Sequence, residues 1–393
     1  MILQEILFWV GLFIVFYAFL GYGFVLYFLV KLKLSFISSM PAIISDYKPD
    51  VSLVIPCYNE SDIIREKVMN SLTLDYEKQK LRLCFITDGS TDNFREVLAE
   101  FPDVTLLHEE RRGGKTAAEN RAMKWVSTPI VIFSDANTLL NKEAVKNIVR
   151  HFEKEDVGCV SGEKRVLSDE KDTASAAGEG IYWKYESFLK KLDSQLYSAV
   201  GAAGELVAFR TSLYEDLPED TILDDFMQSM LIASKGFKIV YEPEAYALES
   251  GSASVAEELK RKIRISAGGW QSMKRLWGKI SPINQPLLFF QYLSHRVLRW
   301  TVTPFILILI FILNFFLLDS GWVYPLTLIA QITFYLAAAV GYFLENRQIR
   351  LKILFVPYYF CVMNYAVIAG LFRFLKGGQK GTWEKAKRKA MTT

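Results

Sequence analysis

Hydrophobic positions divide the chain into two regimes. Near both ends they run almost unbroken: Ile6 to Val30 contains no charged side chain, and apolar residues dominate again from about Thr301 to Phe372. Each stretch is long enough for the roughly 20 residues that cross a bilayer. Between them, apolar residues come in short runs set off by polar turns. Val51 to Ile55, Leu81 to Ile86, Val104 to Leu107 and Ile130 to Phe133 have the length and β-branched content of buried strands. The intervening segments repeat at helical spacing: Ile63, Ile64, Val68 and Leu72, then Phe94, Val97 and Leu98, then Lys115 to Trp125. This β-α-β-α-β-α-β order predicts a Rossmann-like α/β domain with a mostly parallel, doubly wound sheet. The following residues, Gly178 to Gly278, are less regular, with helical stretches at Tyr182 to Gln195 and Asp225 to Lys235.

The predicted organisation is an N-terminal transmembrane helix over 1–34, a linker over 35–50 containing Pro41 and Pro49, and a catalytic block over 51–280. An interfacial helix over 281–300 follows, broken by Gln291, His295, Arg296 and Arg299, then transmembrane helices over 301–375 and a basic tail over 376–393. The first apolar stretch lacks a small-residue cleavage site and reads as a retained anchor. Lys31 and Lys33 follow it, whereas Glu5 is the only charge before it, so the positive-inside rule places the central block in the cytoplasm. Thr301 to Leu318 and Trp322 to Leu344 read as spans; Ile353 to Phe372, with Pro357 and Asn364, reads as a third span or a re-entrant segment.

Composition sharpens this division. The chain is 51% hydrophobic and 23% charged, too apolar for an ordinary soluble protein and too charged to lie in a membrane throughout. A net charge of +3 gives no argument for nucleic acid. The basic stretch Lys260 to Arg264, with Lys274 and Arg275, suits anionic membrane lipids or a phosphate-bearing substrate. Four widely spaced cysteines and three separated histidines imply neither a disulfide nor a zinc site.

Four motifs inside the polar block carry the candidate chemistry: Val54 to Glu60, Thr87 to Asp92, Ser134 to Thr138, and Leu223-Asp224-Asp225 with Arg261 to Ile265. The first three place polar side chains just beyond strands, where an open α/β sheet binds a nucleotide. Asp88, entering a Gly-Ser-Thr-Asp turn, can accept hydrogen bonds from a base or ribose, or simply cap the turn. Asp135-Ala136-Asn137 puts two oxygen donors on one side of a short loop, a spacing that suits Mg²⁺ or Mn²⁺ shared with substrate phosphates, or an Asx-turn. Arg111 to Thr116 is not a phosphate-binding P-loop, because Glu109 stands where that motif needs glycine; Lys115 can still reach a ribose or phosphate. Asp224 and Asp225 are adjacent acids, one of which can keep a raised pKa and act as a general base. Arg261 and Arg264 could clamp a diphosphate, with Trp270 and Trp277 offering faces to a sugar.

In this order the motifs resemble the inverting family 2 glycosyltransferases of the GT-A fold, especially the membrane-integrated branch containing hyaluronan, cellulose and poly-N-acetylglucosamine synthases. The likeness extends over about Val51 to Gln271. It implies nucleotide contacts from Pro56, Tyr58, Glu60, Asp88, Lys115 and Asp135, and a metal and diphosphate motif at Asp135 and Asn137. It further implies an acceptor-facing loop from Gly201 to Gly204 and Glu205, a general base at Asp225, and a counterpart of the QxxRW motif at Arg261 to Ile265. Asn137 replaces the second Asp of DxD, and Arg261 and Ile265 replace Gln and Trp of QxxRW, leaving Arg264. The resemblance implies transfer from a nucleoside-diphosphate sugar, first of all UDP-linked, to a lipid-linked or growing glycan. The alternatives are a processive synthase acting as a homo-oligomer or with a channel partner, and a non-catalytic nucleotide-binding membrane scaffold.

Overall fold

The computed structural model describes residues 1–36, 46–167, 174–250, 255–347 and 352–377. The expected basic tail lies outside them beyond Gly377, as does most of the expected linker. Eight strands form one sheet: β1 (Val51–Cys57), β2 (Leu81–Asp88), β3 (Val104–Glu109), β4 (Ile130–Phe133), β5 (Thr138–Leu140), β6 (Val157–Leu167), β7 (Val207–Arg210) and β8 (Lys238–Ser250). Their spatial order is β3-β2-β1-β4-β7-β6-β8-β5.

The first four strands pair in parallel, as the sequence pattern predicts, and every residue of β1 is buried because helices cover both faces. The second half departs from the mostly parallel expectation. β7 runs antiparallel to both β4 and β6, β8 runs parallel to β6, and β5 closes the edge antiparallel to β8, so the sheet is mixed. Strands β5 to β8 have no counterpart in the sequence reading. β6 and β8 contain Glu163, Lys164, Arg165, Glu242, Glu244 and Glu249, charges that conceal a strand until their partners are known.

Strand order reverses about β1. The chain runs outward to β2 and β3 on one side and returns to β4 on the other, opening a crevice at the strands' carboxyl ends.

Among the described residues, four helices are long and apolar enough to cross a membrane: Ile2–Phe36, Pro286–Phe316, Val323–Glu345 and Ile353–Leu375. The expected boundary at residue 300 is absent. The stretch expected to lie in the interface continues through a π-helical segment, Leu293–Val302, into the span. Its polar side chains face helix Ala174–Leu196 instead of lipid headgroups: His295 Nδ1 lies 2.5 Å from Asp193 Oδ2, and Arg296 Nη1 lies 2.7 Å from Glu186 Oε1. The amphipathic helix Val255–Leu276 packs along helix Lys352–Leu375, which continues through Pro357. Gly370 permits this approach, since a Cβ there would stand 2.5 Å from Ser266 Cβ.

Candidate active site

Four loops meet at the open end of β1 and β4. Tyr58-Asn59-Glu60 leaves β1 through Asn59, whose φ of 52° is a left-handed conformation that asparagine tolerates. The Asn59 side-chain oxygen accepts from Thr91 N–H, fastening this turn to the loop after β2. The Arg112 guanidinium covers the Tyr58 ring at 3.6 Å and walls one side of the crevice. Glu60 begins helix Ser61–Leu72, its carbonyl accepting from the N–H groups of Ile63 and Ile64. Pro56 is buried inside β1 opposite Ile86 and shapes the strand rather than the crevice surface.

Asp88, expected to contact the base, makes its contacts within the protein in this structure. It is 1% exposed; its carboxylate accepts from Gly113 N–H, from Gly114 N–H at 2.6 Å and from Arg121 Nη2 at 2.7 Å. It holds the Gly113-Gly114 turn that launches helix Lys115–Met123. Thereby Asp88 positions Lys115.

Lys115 is the hub. Its Nζ lies 2.8 Å from Asp135 Oδ1, 3.7 Å from Asp224 Oδ2 and 3.8 Å from Glu119 Oε1. Burial works against its charge, but the carboxylates of Asp135, Asp224 and Glu119 hold its pKa well above the usual lysine value. Gly204 stands over this group: a Cβ there would come 3.0 Å from Lys115 Nζ and 3.2 Å from Asp225 Oδ2. Gly201, at φ +85°, presses against Phe226 so closely that a Cβ would sit 2.2 Å from its ring. The Gly201 to Gly204 loop is therefore moulded to the helix beginning at Asp224.

Asp225 is pushed up to about 7 by burial and by the Asp224 carboxylate, opposed by Lys115 and by a hydrogen bond from Phe226 N–H. Burial and Asp224 likewise push Glu119 well up. Glu119 was missed in the sequence because it occupies an unremarkable helical position one turn beyond Lys115. Arg264 lies within electrostatic reach of Asp224, Asp135 and Asp225, and burial lowers its pKa. Among the described residues Arg264 makes no hydrogen bond or ion pair, whereas Arg261 holds Glu258 through two nitrogens, Nε at 2.9 Å and Nη2 at 3.0 Å.

Trp270 stands apart from this cluster. Its indole N–H donates to Val367 O at 3.4 Å, and its ring lines an apolar groove of about 450 Å³ with Thr301, Phe305 and Leu309. Trp277 is 89% exposed.

The loop from Ser134 to Thr138 is clamped from beneath. Lys67, fully buried on helix Ser61–Leu72, donates to Ser134 Oγ at 2.8 Å and to Thr138 O at 2.7 Å. Burial lowers its pKa to about 7, with Asp135 acting in the opposite direction. Its sequence signal is a lysine inside the apolar stripe containing Ile64 and Val68.

Asp135 and Asn137 fit a hard divalent cation in donor chemistry, since both side chains offer oxygen. Among the described residues no group of three or more His, Cys, Asp or Glu is placed to hold an ion alone. Substrate phosphates would complete such a site.

With this geometry in place, comparison with known proteins is informative. Residues 52–217 match the family described as glycosyl transferase family 2. This block is a family 2 glycosyltransferase domain. The acid pair Asp224-Asp225 and Arg264 lie just beyond the matched residues. The chain is 27% identical over 259 residues to a poly-β-1,6-N-acetyl-D-glucosamine synthase of Staphylococcus aureus, an alignment covering 63% of this chain and 61% of that synthase's length. It is 24% identical over 368 residues to the synthase of the same name from Staphylococcus epidermidis, covering 86% of this chain and 87% of that one. Among solved structures it is similar to the mannosyltransferase PcManGT from Pyrobaculum calidifontis in complex with GDP-Man and Mn²⁺. The TM-score is 0.70 at 23% identity, over 94% of this chain and 99% of that one. That likeness shows the GT-A fold.

Proposed function

We propose that the protein is a membrane-bound inverting glycosyltransferase of cell-surface polysaccharide synthesis. It would move a sugar from a nucleoside-diphosphate donor, UDP-linked in the first instance, to a lipid-linked or growing glycan at the cytoplasmic face. The observation that carries this reading is Asp225: a carboxylate at the mouth of a family 2 domain, facing Gly204, with its pKa raised to about 7. A base of that strength is half ionised near neutral pH and can take the proton of an acceptor hydroxyl.

In this reading the crevice between Tyr58, Arg112 and the Gly113-Gly114 turn takes the nucleotide, and Lys115 and Arg264 face its diphosphate. Asp225 removes the hydroxyl proton as the acceptor oxygen bonds to the anomeric carbon. The bond from that carbon to the diphosphate oxygen breaks on the opposite face, inverting the configuration. Lys115 and Arg264 stabilise the negative charge that leaves with the diphosphate. Mg²⁺ or Mn²⁺ held by Asp135 and Asn137 would supply further neutralisation of the phosphate oxygens. The Mn²⁺ in the mannosyltransferase complex supports a divalent ion here, and GDP-Man there supports a nucleotide-linked donor.

The staphylococcal relatives favour a second reading, a processive polysaccharide synthase working as an oligomer or with a channel partner. The test for both is UDP release by the detergent-purified protein over a panel of nucleotide sugars with Mn²⁺ or Mg²⁺, beside Asp225→Asn, with product length followed on a gel. Turnover of one donor, abolished in the variant, is expected; one added sugar or a ladder separates the readings. Full activity in Asp225→Asn would remove the assigned base, and nucleotide binding without turnover of any donor would favour the scaffold.

A further inference from the structure

Asn137 stands where a carboxylate is usual in this resemblance, and its surroundings give a physical reason. The Asn137 Nδ2 donates to Glu249 Oε1 at 3.2 Å, a bond that an aspartate could not make. Glu249 is 3% exposed and lies near the end of β8, paired across the sheet with Thr138. Its other oxygen is ion-paired with Lys164 of β6, also 3% exposed. Lys164 in turn donates to Glu205 Oε1 at 2.7 Å. Burial opposes ionisation of Glu205, but the Lys164 ammonium outweighs it and holds that carboxylate well below the usual range.

These contacts form a continuous buried chain, Asn137 to Glu249 to Lys164 to Glu205, from the Asp135 loop to the end of the Gly201 loop. We infer that Glu249 is a positioning residue that requires an amide at position 137 and, through Lys164, fixes the donor-side loop relative to the acceptor-side loop. A carboxylate at 137 would face that of Glu249 at hydrogen-bond distance, and two such groups cannot both stay ionised without a proton or cation between them. The carboxylate that a DxD motif would offer at its third position is thus present, displaced across one hydrogen bond to Glu249. Exchanging the two groups, Asn137→Asp with Glu249→Gln, preserves the net charge and the hydrogen bond and moves the carboxylate to the crevice. The consequence for a divalent ion rests on the function proposed above; the pairing itself does not.

The test compares the full-length wild type, N137D, E249Q and N137D/E249Q in detergent. Thermal unfolding is measured without metal, and Mn²⁺ binding by electron paramagnetic resonance. N137D is expected to melt several degrees below wild type, E249Q also below it, and the double variant close to wild type. The double variant should bind Mn²⁺ about tenfold more tightly than wild type, the scale on which groups around a metal alter its affinity. A double variant whose loss of melting temperature equals the sum of the single losses would overturn the pairing, as would an N137D protein as stable as wild type. Restored stability with unchanged Mn²⁺ affinity would overturn the consequence for the ion. If none of the four binds Mn²⁺, the metal reading of the site falls, while the melting temperatures still decide the pairing. Should N137D fail to fold, N137A serves in the same cycle: it removes the amide without adding charge, and its cost is expected to shrink in the E249Q background.

Discussion

Asp225 gains its basicity from position, since an identical carboxylate precedes it in the chain. Asp224 is the more deeply buried of the two and lies nearer Lys115, while Asp225 faces Gly204 and is raised to about 7 by burial first and by the Asp224 carboxylate second. UDP release should therefore rise about tenfold per pH unit below 7 and level off above it, because the ionised form is the base. Lys115 favours that ionised form, so Lys115→Met should move the inflection of the pH–rate profile to higher pH. Stability follows the opposite sign. A carboxyl whose folded pKa exceeds its unfolded value stabilises the fold at acidic pH, and that contribution is lost as pH rises to about 7. Asp225→Asn should accordingly melt above wild type at pH 8, as differential scanning fluorimetry would show, while losing transfer.

At the scale of elements, the site depends on how one short loop is held. Lys67 donates to Ser134 Oγ and Thr138 O, and Asn70 holds the adjoining β5 through Leu140 N–H and O. Lys67→Met keeps the side chain's length but removes both of its buried hydrogen bonds, a loss of about 1–3 kcal/mol. Chemical denaturation of the purified protein checks this. Because the folded state lowers the pKa of Lys67 to about 7, stability should also rise with pH between about 7 and 10.5 in the wild type, and less so in the variant.

The same elements show what the chain discloses before it folds. β1 to β4 are legible because each is a continuous apolar run ending in a polar motif, and those ends are where the crevice forms. β6 and β8 are illegible because their charges are neutralised by partners distant in the chain, Lys164 by Glu249 across the sheet and Glu242 by Arg150 of the turn before β6. Asp88 and Trp270 stand out as residues in the sequence, but their contacts do not. What Asp88 does depends on Gly113 and Arg121, which follow it by 25 and 33 positions. Trp270 depends on a membrane helix 97 positions away.

On the scale of the whole molecule, the long apolar helices and the family 2 block share a buried polar network. Tyr22 donates to Asp193 Oδ1 at 2.5 Å, Gln291 donates to the same carboxylate, and His295 bridges it to Glu186, which also meets Arg296 and Arg299. Asp193→Ala would leave these partners buried without their acceptor and should cost about 3–5 kcal/mol, measured by thermal unfolding in detergent. The polar residues that made 281–300 read as an interfacial helix are turned into the protein, Gln291 and His295 onto Asp193 and Arg296 and Arg299 onto Glu186.

Arg296 carries that network into the catalytic loop: its Nε donates to Val200 O, immediately before Gly201, while Trp300 packs against Phe226 at 5.3 Å. The wall behind the acid pair is thus built by a helix long and apolar enough to lie in a bilayer. A fragment ending at Lys279 would keep every motif of the family 2 domain, yet lose the support for the Gly201 loop and expose Phe226. Separating the family 2 block from helix Pro286–Phe316 would therefore remove part of the block's own interior.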